Sequence, residues 1–262
     1  MDGDNGHVDS TYLDAAAQVL APVKLASDRL LDIGPGASVL DVGCGPGADA
    51  LRIAEVVGPG GRVLGVDADP AMVEEARTRV LASGLADRVQ IETGSATQLP
   101  LDGASVDACR SDRVLMHVGE PQEAVNEMAR VTKPGGRVVC VEPDWATLSI
   151  DCESTDVERR LARFTAETAL ACGFAGRRLQ AFLAHAGLTE RRFEVHAVCV
   201  TDYGLASYLV CFDRVHAAAA RSGLVTQAEL DRLYDELERA DRDRCFYGSL
   251  NIVAAMGTKP PA

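Results

Sequence analysis

The sequence predicts an α/β protein with a doubly wound, Rossmann-like sheet of seven mostly parallel strands and helical lid insertions. Short apolar segments alternate with helix-like segments up to about residue 145, a pattern typical of βαβ units. These apolar segments are almost continuous, as expected for strands that are covered on both faces. Right-handed crossovers would then place helices on both sides of the sheet.

The first part of the chain supplies most of the predicted sheet. Residues 11–31 carry spaced apolar side chains and predict one or two helices. Five strands follow, at 38–42, 62–67, 89–92, 105–109 and 137–142. Helices are predicted between them, at 48–57, 70–82 and 121–131. We expect Pro143 to end the fifth strand, because proline cannot donate a backbone hydrogen bond.

The pattern changes after Trp145. Helices become more frequent and are predicted at 155–172, 176–186, 205–222 and 226–241. Two further strands are predicted, at 191–200 and 250–256, and they bring the total to seven. The helical stretches after residue 145 are expected to pack over one end of the sheet as a lid.

The charge balance excludes some classes of protein. Lys and Arg number 26 against 39 Asp and Glu, which gives a formal net charge of −13. A protein that follows nucleic-acid phosphates needs a surplus of cations, and anionic membranes repel an acidic surface. We therefore expect no nucleic-acid partner and no membrane partner. The polar first residues and the lack of a long apolar run predict a cytoplasmic location.

The eight cysteines and five histidines predict neither disulfides nor a metal site. No two cysteines have the C-x-x-C spacing, and several lie in apolar segments such as 138–141. A reduced thiol packs there as a small hydrophobic group. The histidines show no metal-ligand spacing with one another or with the cysteines, so we expect no bound metal.

A glycine-rich loop follows the first predicted strand. Gly43, Gly45 and Gly47 let the backbone turn tightly and approach a ligand beside the start of a helix. With Ala48 in the third place they also match the dinucleotide fingerprint, so the glycines alone leave the ligand open. Asp41 favours one choice, since its carboxylate would repel a pyrophosphate and attract an ammonium group. A ligand with an amino-acid end and a nucleoside end therefore fits better than a nicotinamide dinucleotide.

A second acid lies at the end of the next strand. Asp67 follows Gly47 by 20 residues, where a carboxylate commonly accepts hydrogen bonds from ribose hydroxyls. Both kinds of ligand contain such a ribose, so Asp67 does not distinguish between them. Asp69 is the weaker candidate for the same role.

The order of the motifs resembles the class I S-adenosylmethionine-dependent methyltransferases, and most of all the small-molecule enzymes of the ubiquinone/menaquinone type. The resemblance covers about residues 30–145. It is carried by V-L-D-V-G-C-G-P-G at 39–47, G-V-D at 65–67, G-S-A-T-Q-L-P-L at 94–101, V-L-M-H-V at 114–118 and K-P-G-G-R-V-V at 133–139. It implies S-adenosylmethionine as cofactor and S-adenosylhomocysteine as product.

The resemblance also implies roles for individual residues. Asp41 would lie near the methionine end of the cofactor, and Asp67 would hold the ribose hydroxyls. Ser95 departs from the family pattern, which commonly has an aspartate there that reaches the adenine amino group. The implied cofactor-binding residues are Asp41, Gly43, Gly45, Gly47, Asp67, Ala68, Met72, Ser95, Ala96 and Ser111.

On this interpretation residues 1–262 form a single methyltransferase domain. Residues 1–37 would supply N-terminal helices or part of the lid, and residues 38–145 the cofactor-binding core. Residues 146–262 would supply helices on the acceptor side together with the last two strands.

Two residues are predicted to serve the chemistry, His117 and Asp144. Methyl transfer needs alignment in a dry site, and a general base only for some acceptors. His117 suits removal of a proton from a phenol or amine, although it could instead pack under the cofactor or cap a helix. Asp144 could orient the acceptor while Trp145 stacks on it, or both could pack against the lid. Arg110 and Arg113 fit either an acceptor carboxylate or an ion pair.

The predicted function is methyl transfer to an oxygen, nitrogen or carbon atom of a small-molecule acceptor, in bacterial secondary metabolism and natural product biosynthesis. One alternative is a protein of the same fold that binds S-adenosylmethionine but acts as a cyclase or scaffold. An NAD(P)-dependent oxidoreductase is less favoured. Residues 111–114 lack the N-P-P-aromatic signature of DNA amino-methyltransferases and the glutamate pair of protein arginine methyltransferases. Monomer and homodimer stay open.

Overall fold

A mixed sheet runs through the part of the chain that the computed structural model describes, residues 18–261. Its seven strands are β1 Ser38–Val42, β2 Arg62–Asp67, β3 Val89–Thr93, β4 Val106–Asp112, β5 Thr132–Ile150, β6 Thr189–Val200 and β7 Gly248–Thr258. Their order across the sheet is β3-β2-β1-β4-β5-β7-β6. Strands β1 to β5 are parallel, and β7 is antiparallel to both of its neighbours. The predicted fold class is confirmed.

The α-helices within residues 18–261 divide into two layers and a cap. They are α1 Ala21–Leu31, α2 Ala48–Val57, α3 Pro70–Ser83, α4 Pro121–Val131, α5 Thr155–Phe164, α6 Ala175–His185, α7 Tyr203–Val210, α8 Phe212–Arg221 and α9 Gln227–Arg242. Helices α1, α2 and α3 bury their apolar sides in the core on one face of the sheet, and α4 and α6 in the core on the other. Helices α5, α7, α8 and α9 share a third apolar cluster, and we call these four helices the cap.

Local sequence signals set the helix ends in the core, and α3 is an example. Pro70 occupies its first turn, where the missing N–H is not needed. The carboxylate of Asp69 accepts the backbone N–H of Ala71 at 2.8 Å and so caps the helix. At the other end Gly84 adopts φ 73°, the left-handed conformation that commonly ends helices.

The register of the sheet brings polar residues together at one edge. Asp41 of β1 lies beside Arg110 of β4, and one residue further on Val42 lies beside Ser111. On its other side Asp41 neighbours Gly65 of β2. Because parallel strands end at the same edge, the loops after β1, β2 and β4 converge there.

The prediction that Pro143 ends the fifth strand is wrong. Strand β5 continues past it, and Pro143 lies beside Ile252 of β7. Strand β4 ends at Asp112, whose neighbour in β5 is Val141, so that beyond this point β5 has a strand on one side only. Proline is tolerated in a strand where one side has no hydrogen-bond ladder to join.

Two of the predicted helices differ from the observed ones. The segment predicted as one helix at 155–172 contains α5 and then a π-helical turn at Thr165–Ala169. The segment predicted as one helix at 205–222 is divided into α7 and α8 by Cys211, whose φ is 54°. This left-handed conformation interrupts the helical hydrogen bonding, and a cysteine gives no sequence signal for it.

Part of the predicted N-terminal helical region, residues 11–17, lies outside the described residues, and α1 falls within the rest. No helix between residues 18 and 261 combines the length and apolar character that crossing a bilayer requires. Over the same span, no group of three or more His, Cys, Asp or Glu side chains is placed to hold a metal ion.

Candidate active site

A large cavity opens at the carboxyl ends of β1, β2 and β4, where ligands bind in open α/β sheets. Its volume is about 1470 Å³. The loops after these strands form one wall, and the cap forms the opposite wall. Most of the predicted site residues line it, namely Asp41, Gly43, Gly45, Asp67, Ala68, Met72, Ser95, Ala96 and His117.

The loop after β1 requires glycine at two positions for different reasons. Gly43 has φ 68°, and a Cβ there would lie 2.3 Å from Cγ2 of Val114. Its N–H donates to the carbonyl of Val66 at 2.7 Å, which ties the loop to β2. Gly47 has φ 82°, and a Cβ there would lie 3.1 Å from Cβ of Ala76. Gly47 is absent from the cavity lining, so its role is to let α2 pack closely against α3.

Asp41 is a buried carboxylate in the cavity wall, with 2% of its surface exposed. Its Oδ1 lies 3.7 Å from Nη1 of Arg110, and its Oδ2 has no hydrogen-bond partner among residues 18–261. Burial raises the pKa of Asp41 to about 7, against the opposing effect of Arg110. A buried oxygen without a partner is costly unless a ligand satisfies it. This oxygen is therefore suited to a cationic or N–H group of a ligand.

Arg110 is fully buried and lies among three carboxylates. Its Nη1 is 2.9 Å from Oδ2 of Asp49, and its Nη2 donates to Oδ2 of Asp112, also at 2.9 Å. Burial disfavours the charge on Asp49, but Arg110 and Lys24 hold the pKa of Asp49 well below its usual range. Of the two roles that the sequence left open for Arg110, the structure shows an internal ion pair.

Asp67 ends β2 and presents a fixed carboxylate to the cavity. Its Oδ2 accepts the N–H of Gly45 at 2.8 Å, and its Oδ1 accepts the N–H of Asp69 at 2.9 Å. Each oxygen keeps a further lone pair, so the carboxylate can also accept two neighbouring hydroxyl groups. The side chain of Asp69 is already engaged as the cap of α3, and this favours Asp67 for the ribose.

The next part of the wall suits a flat heterocycle. Met72 is largely buried, and with Ala68 and Ala96 it gives this part of the cavity an apolar surface. Ser95 lines the same region, and its Oγ lies 2.8 Å from Oγ1 of Thr97. A hydroxyl pair therefore stands where the resemblance expects a single carboxylate.

His117 lines the cavity at the end of the 3₁₀ turn Leu115–His117, directly after β4. Desolvation holds the pKa of His117 below its ordinary value, and the positive charges of Arg214 and Arg113 lower it further. The imidazole is therefore predominantly neutral at pH 7 and can accept a proton from a bound molecule.

Glu142 fixes the turn that carries His117. Its buried carboxylate accepts the backbone N–H groups of Val114 at 2.8 Å, Leu115 at 2.7 Å and Met116 at 3.2 Å. Burial raises the pKa of Glu142 to about 8, although these hydrogen bonds favour its charged form. No sequence motif singled out Glu142. The available signal was an acid that interrupts an otherwise apolar strand.

Besides Gly47, two further predicted site residues are absent from the cavity lining. Asp144 accepts hydrogen bonds from Nε of Arg177 at 2.9 and 2.8 Å, so its carboxylate joins β5 to α6, and its predicted catalytic role finds no support in this position. Ser111 is fully buried within β4. Trp145 does line the cavity, and its Nε1 donates to Sδ of Met116 at 3.2 Å.

The cap wall was not predicted at the level of residues. It combines apolar, hydroxyl and cationic side chains, namely Phe164, Thr165, Thr168, Leu170, Leu209, Val210, Arg214, Val215, Ala218 and Arg221. These residues come from the end of α5, the turn after it, and the two sides of the break at Cys211. They carry no motif, because only the tertiary course of the chain brings them to the cavity.

Comparison with known proteins decides the family. The profile of a methyltransferase domain family matches residues 33–187. This chain belongs to the class I S-adenosylmethionine-dependent methyltransferases. The methyltransferase is also 42% identical over 253 residues to the uncharacterized 37.1 kDa protein in transposon TN4556 of Streptomyces fradiae, covering 96% of this chain and 71% of that protein.

Relatives with named activities match part of the methyltransferase. Demethylmenaquinone methyltransferase of Bacillus cytotoxicus is 35% identical over 120 residues, which are 46% of this chain and 50% of that enzyme. The chain thus spans about half the length of the demethylmenaquinone methyltransferase that it matches.

Solved structures show the same fold. The YcgJ protein of Bacillus subtilis has a TM-score of 0.64 at 19% identity, covering 92% of this chain and 99% of that chain. The [4+2]-cyclase SpnF has a TM-score of 0.60 at 23% identity, covering 94% and 82%. At these identities the likeness is one of fold alone.

The residues of the methyltransferase fit S-adenosylmethionine, the cofactor of its family. The amino-acid end of this cofactor carries an ammonium group, and the free buried oxygen of Asp41 is an acceptor for one. The fixed carboxylate of Asp67 can accept ribose hydroxyls, and Met72 gives the wall an apolar surface on which a flat ring could pack. A pyrophosphate would instead meet the carboxylate of Asp41, so a nicotinamide dinucleotide does not fit.

Proposed function

We propose that the protein transfers a methyl group from S-adenosylmethionine to a small organic acceptor bound between the sheet edge and the cap. The observation that supports this proposal most strongly is a single cavity lined by Asp41, Asp67, His117 and the apolar residues of the cap. Pockets for one small molecule commonly measure about 300–1,000 Å³. At about 1470 Å³ this cavity has room for a second ligand beside the cofactor.

The sheet-side residues would hold the cofactor. Asp41 would bind the ammonium group, Asp67 would accept the ribose hydroxyls, and Ser95 would face the adenine. When bound, S-adenosylmethionine supplies an electrophilic methyl group on a positively charged sulfur atom. The carboxylates in this part of the wall favour a cationic ligand over a neutral one. Trp145 and Met116 line the cavity and are largely buried, and their apolar surfaces would help to keep water away from the bound ligands.

His117 would act as the general base for an acceptor with an O–H or N–H group. A ring nitrogen of the neutral imidazole would take the proton that the acceptor atom loses when it receives the methyl group and S-adenosylhomocysteine is released. Glu142 fixes the backbone of the turn, so the ring is presented from a rigid segment. A carbon acceptor that is already activated would not need this base.

The acceptor class rests on charge and shape. The net charge of −13 disfavours nucleic acid and anionic membrane surfaces as partners, and a cavity selects a small molecule over a protein surface. We propose a metabolite of bacterial secondary metabolism, and a monomer or homodimer as the working unit.

A second candidate function keeps the cofactor but not the transfer. The structural likeness to the [4+2]-cyclase SpnF extends over 94% of the chain, and the same large cavity could hold a substrate for cyclisation. The two functions share every residue of the cofactor wall, and they differ in whether His117 is needed as a base.

One experiment separates these functions. The protein is incubated with S-adenosylmethionine and a panel of phenols, amines and demethylmenaquinone, and the products are analysed by mass spectrometry. Release of S-adenosylhomocysteine together with an acceptor heavier by one CH₂ supports methyl transfer. Tight cofactor binding with no transfer to any acceptor supports the cyclase or scaffold. Failure to bind S-adenosylmethionine in calorimetry would refute both.

A further inference from the structure

Helix α8 places two arginines on the face that it turns towards the cavity. Arg214, Ala218 and Arg221 are spaced by four and three residues, so they lie along one side of the helix, and all three line the cavity. Arg214 and Arg221 are exposed, and neither has an ion-pair or hydrogen-bond partner within residues 18–261. Two free cations facing a cavity are notable in a protein with a net charge of −13.

The cavity is therefore divided by charge. Its carboxylates belong to the sheet edge and the first turns of the neighbouring helices, and they are Asp41, Asp49, Asp67, Asp69, Asp112 and Glu120. The other cations of the wall differ from the pair on α8, because Lys24 bonds to Asp49 and Arg113 bonds to Asp112. A ligand whose cationic part lies against the carboxylates leaves the arginine side for an anion.

The surface around the two arginines is apolar. Phe164, Leu170, Leu209, Val210 and Val215 line the same side of the cavity. Binding of an apolar group against this surface is favourable, because it removes apolar area from water. A small inorganic anion would leave the surface exposed to water. The wall thus matches a molecule with an apolar body and one anionic group.

We propose that the acceptor is an amphipathic oxyanion, with its carboxylate or phosphate group bound by Arg214 and Arg221 and its apolar body covered by the cap. This inference rests on the proposed function, because it specifies the acceptor for the same cavity. An arginine fork binds either oxyanion through paired N–H groups. Arg214 also acts on His117, since its positive charge lowers the pKa of that imidazole. Arg214 and His117 line the same cavity, so one bound molecule could contact both.

The test measures binding of matched probes by isothermal titration calorimetry, with S-adenosylhomocysteine present. The probes are decanoate, the neutral decanamide of the same length, and decyl phosphate. Trp145 is the only tryptophan of the chain and lines the cavity, so its fluorescence reports whether a probe binds inside. We expect decanoate to bind at least about tenfold more tightly than decanamide, as charge-assisted hydrogen bonds predict. The relative affinity of decyl phosphate distinguishes a phosphate acceptor from a carboxylate acceptor.

Variants assign the effect to α8. Arg214→Gln should lose about tenfold in affinity for decanoate and keep its affinity for decanamide, while Arg214→Lys should retain part of the preference. Arg232→Gln is the matched control, because Arg232 is an exposed arginine of α9 outside the cavity lining, and it should behave as wild type.

The outcomes separate this inference from the function on which it rests. Equal affinity of the wild type for decanoate and decanamide, no binding of either anion, or undiminished decanoate binding by Arg214→Gln overturns the anionic acceptor. Methyl transfer to a neutral acceptor would survive each of these results. Failure of the wild type to bind S-adenosylhomocysteine, measured first in the same cell, overturns the proposed function itself.

Discussion

Replacing Asp41 by asparagine should weaken cofactor binding and abolish its pH dependence near neutrality. The carboxyl group of Asp41 has a pKa of about 7, because it is buried and only partly compensated by Arg110. Only the charged form attracts the ammonium end of S-adenosylmethionine. Asparagine keeps the size and the acceptor oxygen of the side chain but can never carry the charge.

The magnitude follows from the titration. With a pKa of about 7, roughly a tenth of Asp41 is ionised at pH 6 and about three-quarters at pH 7.5, so wild-type affinity should rise about eightfold over this interval. The interval lies below the titration of a free α-amino group, at about 7.7–8.0, so the ligand stays mainly cationic. The affinity of Asp41→Asn should stay nearly flat and fall below that of the wild type by about tenfold at pH 7.5.

Stability should change in the opposite direction. The pKa of Asp41 is raised from 3.8 in an unperturbed aspartate to about 7 in the folded protein, so ionising it opposes folding by an amount on the order of 4 kcal/mol. The stability that the protonated carboxyl group of Asp41 contributes is fully present below about pH 4. It is lost progressively as the pH rises from there through about 7. Without ligand, Asp41→Asn should therefore be more stable than the wild type at pH 8, and this advantage should be smaller at pH 5, where only part of the stability has been lost.

Calorimetric titration of S-adenosylmethionine between pH 6 and 7.5 measures the affinities, and urea unfolding at pH 5 and pH 8 measures the stabilities. Asp235→Asn removes an exposed carboxylate from α9 and serves as the control for a general charge effect. Equal pH dependence in wild type and Asp41→Asn, or lower stability of Asp41→Asn at pH 8, would refute the argument.

Three further substitutions test the rest of the site. Asp67→Ala removes the acceptor for Gly45 and Asp69 and should weaken cofactor binding by roughly ten- to a hundredfold in calorimetry, whereas unchanged affinity would show that the ribose site is misassigned. His117→Ala should lower kcat by about 10²–10⁴-fold for an O–H or N–H acceptor while the Kd of the cofactor stays constant, and an unchanged kcat would exclude it as the base. Glu142→Ala leaves three backbone N–H groups without their acceptor and should lower the free energy of unfolding by about 1–3 kcal/mol in urea, with Glu142→Gln less affected.

The sheet and its ligand edge could be predicted because their signals are local. A parallel strand is a short apolar segment, and features such as Pro70 and Gly84 mark where the next helix begins and ends. Since all parallel strands end at one edge, Asp41 and Asp67 had to converge with the loop after β4. The contact between Asp41 and Arg110 could also have been predicted from the sequence, because the two residues lie near the ends of neighbouring strands.

The cap could not be predicted in the same way. The orientation of the cap helices depends on the left-handed conformation of Cys211 and on the π-helical turn Thr165–Ala169. Neither feature leaves a signature in the pattern of apolar residues. Without them, Arg214 and Arg221 are two ordinary arginines on an amphipathic helix. Pro143 misled for a related reason, because whether a proline ends a strand depends on whether a neighbouring strand needs its N–H.

The distances around Arg110 explain why Asp41 is the carboxylate left for a ligand. The two terminal nitrogens of Arg110 each lie 2.9 Å from a carboxylate oxygen, one of Asp49 and one of Asp112. The nearest carboxylate oxygen of Asp41 lies 3.7 Å from Arg110, which is too far for a hydrogen bond. Lys24 bonds to Asp49 as well, so compensation is concentrated on that carboxylate. Asp41 is thereby the least compensated of the three, and its Oδ2 is the oxygen without a partner. A ligand ammonium group completes a pairing that the protein leaves unfinished, and this links cofactor binding to the ionisation of one buried side chain.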